Sequence, residues 1–321
     1  MTEKIINEIN LKLIEYANQF YPKSMSEPYH FFIENGGKRI RPLLCLLTIA
    51  ISGKNYKDYI DLANSLELLH TFTLLHDDIM DQSPIRRGKP TIHIKWNESI
   101  AILLGDLIIG HSYRKLSKYV EHNNFSKMLN VFNDSLVIVC EGQALDIDYN
   151  SRTDIDENDY LEMIEGKTAN LIKASIQIGA LIANFDEKKY DILSEFGKNI
   201  GLAFQIQDDY LDLFAQGSGF GKTIGRDLLE GKKTLMIIKL NKIAEGEDRE
   251  IINNFYLNNG CQKNEIQTII NLIEKYKIKE EVKLKFERLY SSAQKELLKL
   301  GNNKYISELD KLLTEMNSRN K

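Results

Sequence analysis

The chain has 321 residues, 43% of them hydrophobic, enough to fill one large interior. A net charge of -4 gives no basis for nucleic-acid binding, and no uninterrupted apolar run reaches the roughly 18–20 residues of a membrane span. The opening MTEKIINEINLKLIEY is a charged amphipathic pattern and not a secretory signal. Cys45, Cys140 and Cys261 are odd in number, far apart and without CxxC spacing. A disulfide framework or zinc site is not expected, and a reducing, cytoplasmic setting is.

All five prolines (Pro22, Pro28, Pro42, Pro84, Pro90) lie in the first 90 residues. Beyond them the apolar residues recur at helical spacing, with no sustained alternation of the strand kind. This predicts an all-α chain of roughly a dozen helices with short connections, read as one domain over residues 1–321.

The first helix is expected from Glu3 to Asn18, and a short second one from Pro28 through Phe32. Gly36-Gly37-Lys38-Arg39-Ile40-Arg41-Pro42 follows. Two glycines allow close backbone approach and three cations stand within four residues, a composition suited to cradling phosphate at a helix start; a plain glycine turn with solvated cations is the alternative. Leu43 to Ser52 is an apolar core helix.

From about Asp58 the next helix leads into LELLHTFTLLHDDIMDQSPIRRGKPTIH, Leu66 to His93. Asp77 and Asp81 are four apart and lie on one face. Like charges at that spacing weaken a helix, so a cation is expected beside them, and carboxylate oxygens suit Mg²⁺ with its retained waters. Ser83-Pro84 marks a turn. Arg86 and Arg87 follow it, and an acidic helix end with a basic loop suits a metal-bridged polyanion. His70 lies two turns before Asp77, as a core residue or a phosphate contact. Phe72 lies about 7–8 Å deeper along the helix axis, as core packing or as part of a cavity floor.

Asn97 to Tyr119 reads as a long helix in which Gly105 and Gly110 suggest close helix approach. Ser135 to Asp148 carries Gln143 and Asp146 on one face, as hydrogen-bond partners of a site or as surface residues. Glu165-Gly166-Lys167-Thr168-Ala169 interrupts the next helix, and a kink there turns carbonyls inwards. The helix from about Lys188 to Phe214 ends in QDDYLDLF, so Asp208, Asp209 and Asp212 repeat the acidic spacing, with Gln205 one turn earlier. The glycine-rich stretch from Gly217 to Asp227 lacks the GxxxxGK[ST] spacing and a preceding strand. A closing lid bearing Lys222 fits it better, and Lys232 and Lys233 come next. From Leu235 onwards the helices carry no evident chemistry.

GGKRIRP, LLHDDIMDQSPIRRGKPTIH, GKTA, FQIQDDYLD and GKTIGRDLLEGKKT, in that order between Gly36 and Thr234, closely resemble the trans-isoprenyl diphosphate synthases, the polyprenyl synthetase family. The resemblance implies an isoprenoid-synthase-type helical bundle around a deep central cavity, usually in a homodimer. It implies condensation of isopentenyl diphosphate with an allylic prenyl diphosphate. Asp77, Asp81 and Asp208 would hold three Mg²⁺ ions on the allylic diphosphate, supported by Asp78, Asp209 and Asp212. Arg86, Lys167, Lys222 and Lys232 would grip that diphosphate. Gly37, Lys38, Arg41, His70 and Arg87 would hold the diphosphate of isopentenyl diphosphate, with Thr168 and Gln205 lining the reacting site. Phe72 and Thr73, five and four residues before the acidic motif, would set cavity depth. One aromatic there resembles archaeal-type geranylgeranyl synthases, with farnesyl diphosphate, or a somewhat longer chain, as the alternative product. A terpene cyclase would not need a second cationic cradle, and a non-catalytic regulatory subunit would be expected to lack one acidic run.

Overall fold

Helix α1 (Thr2–Glu15) buries Ile5, Ile9 and Leu13, spaced one turn apart on a single face. It ends before the expected boundary, because Tyr16–Gln19 tightens into a 3-10 turn. Helix α2 (Lys23–Glu34) contains Pro28 rather than starting at it. A proline there forfeits one bond to the preceding turn, but it lies on the buried face of the helix, as do Met25 and Tyr29. Helix α3 (Ile40–Ile51) starts directly after Arg39, whose φ of 50° is left-handed.

Helix α4 (Ile60–Met80) carries the first acidic run at its C-terminal end. A two-stranded hairpin follows, β1 (Ile85–Arg86) with β2 (Lys89–Pro90), pairing Ile85 with Pro90 and Arg86 with Lys89. It is the one departure from all-helical structure among the described residues. Its turn, Arg87-Gly88, has positive φ at both positions, as two-residue hairpins require; two-residue strands are too short to show alternation.

Helices α5 (Ile92–Lys95), α6 (Glu98–Leu116) and α7 (Phe125–Tyr149) come next. The Asn97 side chain caps α6 by accepting from Ile100 N–H at 2.9 Å. Helix α8 (Glu157–Ile164) opens on a reciprocal capping box between Asp156 and Asp159. A π turn over Glu165–Ala169 leads into α9 (Asn170–Ile182), and α10 (Glu187–Phe214) ends in the second acidic run. The chain finishes with α11 (Arg226–Leu229), α12 (Leu235–Ile243), α13 (Gly246–Leu257), α14 (Ile266–Lys275), α15 (Ile278–Leu298) and α16 (Lys304–Asn317).

The computed structural model describes residues 1–215 and 224–319. Met1–Leu136, Ala174–Ser194 and Leu300–Leu309 form one compact unit; Val137–Lys173, Glu195–Lys299 and Asp310–Lys321 form a second. Within the first unit α4 packs on α1, α3 and α6. That makes α4 buried on most sides, and two of its hydroxyls are satisfied locally: Thr71 donates to Glu67 O at 2.8 Å and Ser65 to Leu62 O at 2.6 Å. Gly105 of α6 meets α4 closely, as expected, whereas Gly110 faces open space. Within the second unit α12 contributes Leu235 to Ile238 and Leu240 to a core shared with α8, α13, α14 and α15. Among the described residues no helix is long and apolar enough to cross a membrane.

Candidate active site

In the first unit the acidic run sits on the last turn of α4, and Asp81 N–H still donates to Asp77 O at 2.8 Å. Asp77 and Asp81 therefore keep the one-turn spacing read from the sequence. Asp78 points the other way. It is buried, and both its oxygens accept from Arg86 Nε at 2.8 Å. Arg86 reaches it because the hairpin folds the chain back after Met80. This ion pair fixes the basic loop against the acidic helix.

Arg87 donates to the Gly36 carbonyl, which draws the hairpin turn onto the Gly36-Gly37 segment. A Cβ on Gly37 would meet Arg39 Nη1 at 2.9 Å and Arg87 Nη1 at 3.1 Å. A side chain there would crowd both guanidinium groups. The three cations of this segment do different work. Lys38 is exposed. Arg39 is buried and structural, donating to Asn10 Oδ1 at 2.8 Å, Glu67 Oε1 at 2.8 Å and Ile33 O at 3.0 Å. Arg41 is half-buried, and its Nε is buried without a hydrogen-bond partner among the described residues. Burial pulls the Arg41 guanidinium down to about 10, partly opposed by Glu67. His70 is held well below its ordinary value by burial, then by Arg41, Arg87, Arg86 and Arg39. A neutral imidazole amid several guanidinium groups marks a region short of negative charge, which an anion would relieve.

Phe72 is buried one turn before His76, and the two rings meet edge to face with centroids 4.8 Å apart. Thr73 is half-buried and returns its hydroxyl to His70 O at 2.8 Å.

In the second unit Gly142 of α7 lies against Gly166 and Lys167, so closely that a Cβ on Gly142 would overlap the Lys167 backbone. This contact sets α7 beside the π turn, a distortion common at functional sites. Asp146, one turn beyond Gly142, is buried and accepts from Lys167 Nζ at 2.6 Å and Lys232 Nζ at 2.8 Å. Burial works against the Asp146 charge, but the two lysines outweigh it and hold the carboxyl below its usual range. Asp146 is thus a partner of the cationic group, one of the two readings its sequence position allowed. Its role was hidden because it depends on Lys232, 86 residues away. Lys233 turns away from this pair, over the rings of Tyr256 and Phe255.

The second acidic run is handled differently from the first. Asp209 is half-buried; its Oδ2 accepts from Tyr160 OH at 2.7 Å and its Oδ1 from Gln205 Nε2 at 2.7 Å. Gln205 in turn accepts from Thr168 Oγ1 at 2.7 Å, which ties the π turn to the acidic helix. Loss of hydration pushes the Asp209 carboxyl up to about 7, against Tyr160 and Gln205, with Asp208 adding to the rise. Asp208 is exposed and pairs with Arg319 of the C-terminal segment. Asp212 Oδ2 accepts from Asp227 N–H at 3.1 Å and its carbonyl from Gly225 N–H at 3.0 Å, fastening the start of α11. The Asp227 carboxyl is pushed well up by burial and by Asp212 and Asp209. Tyr160 and Arg319 carried no local sequence signal, and Asp227 was visible only as part of the glycine-rich motif; each has a partner elsewhere in the chain. Lys222 and most of the expected lid lie outside the described residues.

These carboxylates fit the Mg²⁺ that the motifs imply. Among the described residues no three of His, Cys, Asp and Glu are gathered so as to enclose an ion alone. Carboxylate oxygens one turn apart suit a hard cation that completes its shell with water and phosphate.

A sequence profile of the polyprenyl synthetase family matches residues 22–273. The chain belongs to the polyprenyl synthetase family. This polyprenyl synthetase is 38% identical over 278 residues to the geranylgeranyl diphosphate synthase of Sulfolobus acidocaldarius, covering 86% of this chain and 84% of that one. It is 40% identical over 239 residues to the short chain isoprenyl diphosphate synthase of Methanothermobacter thermautotrophicus, covering 74% of each. Its fold matches a crystal structure of geranylgeranyl pyrophosphate synthase with a TM-score of 0.92 at 32% identity, covering 99% of both chains. The all-α isoprenoid-synthase fold and the prenyltransferase class expected from the motifs are those found.

Proposed function

We propose that this polyprenyl synthetase condenses isopentenyl diphosphate with an allylic prenyl diphosphate to give chiefly geranylgeranyl diphosphate. The observation that carries this reading is that the chain has two Asp-Asp-x-x-Asp runs and a separate arginine cradle. Condensation needs two diphosphates held at once, whereas cyclisation needs one.

In this reading Asp77, Asp81 and Asp208 hold Mg²⁺ on the allylic diphosphate. When bound, the metal neutralises the leaving diphosphate and makes its departure feasible. Asp78 serves by holding Arg86 in place, and Asp209 and Asp212 by fixing the second acidic helix. Arg86, Lys167, Lys222 and Lys232 grip the allylic diphosphate, and Asp146 aims two of those lysines. Lys38, Arg41, His70 and Arg87, with the Gly37 backbone, hold the diphosphate of isopentenyl diphosphate. Fixed cations aimed at charge that develops on the leaving group stabilise ionisation more than binding. The double bond of isopentenyl diphosphate then attacks C1 of the allylic cation. A proton leaves to the departed diphosphate, since no side chain stands out as a dedicated base. Thr168 and Gln205 line the reacting atoms, and Phe72 with Thr73 closes the floor under the growing chain.

The family match includes residues of both compact units, which supports residues 1–321 as one polyprenyl synthetase domain. A homodimer is part of the proposal. Ile102 and Leu103 are exposed on α6, and Gly110, two turns on, leaves open space on that face.

The test is product size. Purified protein with Mg²⁺, labelled isopentenyl diphosphate and C5, C10 or C15 primers is expected to yield a C20 alcohol after dephosphorylation. A C15 end product would make it a farnesyl synthase. Absence of elongation from every primer by folded protein would refute condensation.

A further inference from the structure

We infer that His76, seated in a notch made by Gly105, is a positioning residue that sets product length by bracing Phe72. The inference rests on the reading of Phe72 as the floor and adds a second determinant to it.

All the groups involved lie in the first unit. His76 and Phe72 are four apart on α4, so their side chains stack along one face of the helix. The rings contact at 74°, edge to face, a favoured arrangement for aromatic pairs. The other side of the imidazole is held by α6. His76 Nε2 is 3.3 Å from Ile102 O, a distance at which its N–H can donate. A Cβ on Gly105 would lie 2.7 Å from His76 Cδ2 and overlap Nε2 outright. The imidazole thus occupies space that only a glycine leaves open on α6. Phe72, buried beside it, has a ring with a fixed neighbour on the side facing the acidic run.

A floor blocks elongation only if it does not yield to the next five-carbon unit. A phenylalanine alone can change χ1 at modest cost. A phenylalanine braced by a ring that is itself hydrogen-bonded and wedged against another helix cannot swing towards that ring without displacing it. His76 therefore converts a bulky residue into a stop.

The measurement is the product distribution from a C15 primer with excess isopentenyl diphosphate, alongside thermal melting of each variant. His76→Ala is expected to make products of C25 and longer the majority. His76→Phe keeps a ring in the notch and is expected to restore the wild-type length. Gly105→Ala leaves His76 and the acidic run in sequence but closes the notch, and is expected to broaden the distribution. Phe72→Ala is the control for the underlying reading. If Phe72→Ala lengthens the product and His76→Ala and Gly105→Ala do not, the brace is wrong and the floor stands. If Phe72→Ala leaves the length unchanged, the floor reading fails and the brace with it. Folded His76→Ala that forms no product would also overturn the inference, assigning His76 to the acidic run instead. Chain length is read from whatever product forms, so a slow variant still reports.

Discussion

The two acidic runs have the same spacing and solve the same problem in opposite ways. In each, the middle aspartate is held by side chains of the surrounding protein. Asp78 is given a permanent cation, Arg86, which binds both its oxygens. Asp209 is given neutral donors, Tyr160 and Gln205, and its carboxyl rises to about 7. One run is therefore locked electrostatically and the other by a hydrogen-bond chain that can gain or lose a proton near neutrality. Cations follow the same division: arginines crowd the first run, whereas near the second two lysines converge on Asp146. The shared motif does not determine how each run's supporting groups titrate.

The largest effect tests what the two runs share. Asp77→Ala and Asp208→Ala are each expected to lower kcat by about 10²–10³-fold, the usual cost of losing one preorganised charge contact. Steady-state rates at saturating Mg²⁺ check this, and full activity in either variant would break the equivalence of the runs.

The next test sharpens their difference. Asp78→Asn leaves Arg86 beside a neutral amide and is expected to cost about 1.5–3 kcal/mol of stability, the range for bonds to charged groups. Asp209→Asn removes a carboxyl whose charge burial disfavours and is expected to leave stability at pH 7 unchanged or raised. Denaturant unfolding at pH 7 measures both. Equal losses would mean that the partner's charge is immaterial.

The pH dependence of stability separates the runs further. Asp209 binds its proton more tightly in the folded chain, at about 7, than in the unfolded chain, at about 4. Its contribution is fully present below the unfolded value and is lost as pH rises through the folded one. In metal-free buffer, stability should therefore fall between about pH 4 and pH 7 because of this group, and Asp209→Asn should flatten that slope. An unchanged slope in the variant would remove Asp209 as its source.

The smallest effect is that of Tyr160→Phe. It removes one donor to Asp209 at little change in volume, and about 1 kcal/mol of stability is expected to go with it. The variant should also raise the apparent pKa of the Asp209 carboxyl, because the phenol favours its ionised form. A carboxyl signal followed by NMR titration checks the direction.

Much of the molecule was legible from residues alone. Helical period gave the all-α class, and the one-turn spacing of Asp77 and Asp81 survives in α4 because α-helical geometry is local. Repetition of that spacing at Asp208 and Asp212, with basic segments in a set order, was enough to identify the family. Boundaries that depend on packing were less visible: Pro28 sits inside α2 because its ring is buried, and Gly110 makes no close contact where Gly105 does.

The division of labour among like charges was decided by tertiary structure. In Lys38-Arg39-Ile40-Arg41 the sequence offers three equivalent cations, and only the fold commits Arg39 to buried Glu67 and leaves Arg41 half-buried with an unpaired Nε. Asp146, Tyr160, Asp227 and Arg319 likewise acquire meaning from partners 15 to 111 residues away. The physical reason is range. Helix period and motif spacing are set by bonds within a few residues, whereas a charge's hydration and counter-charge are set by whatever the rest of the chain brings beside it.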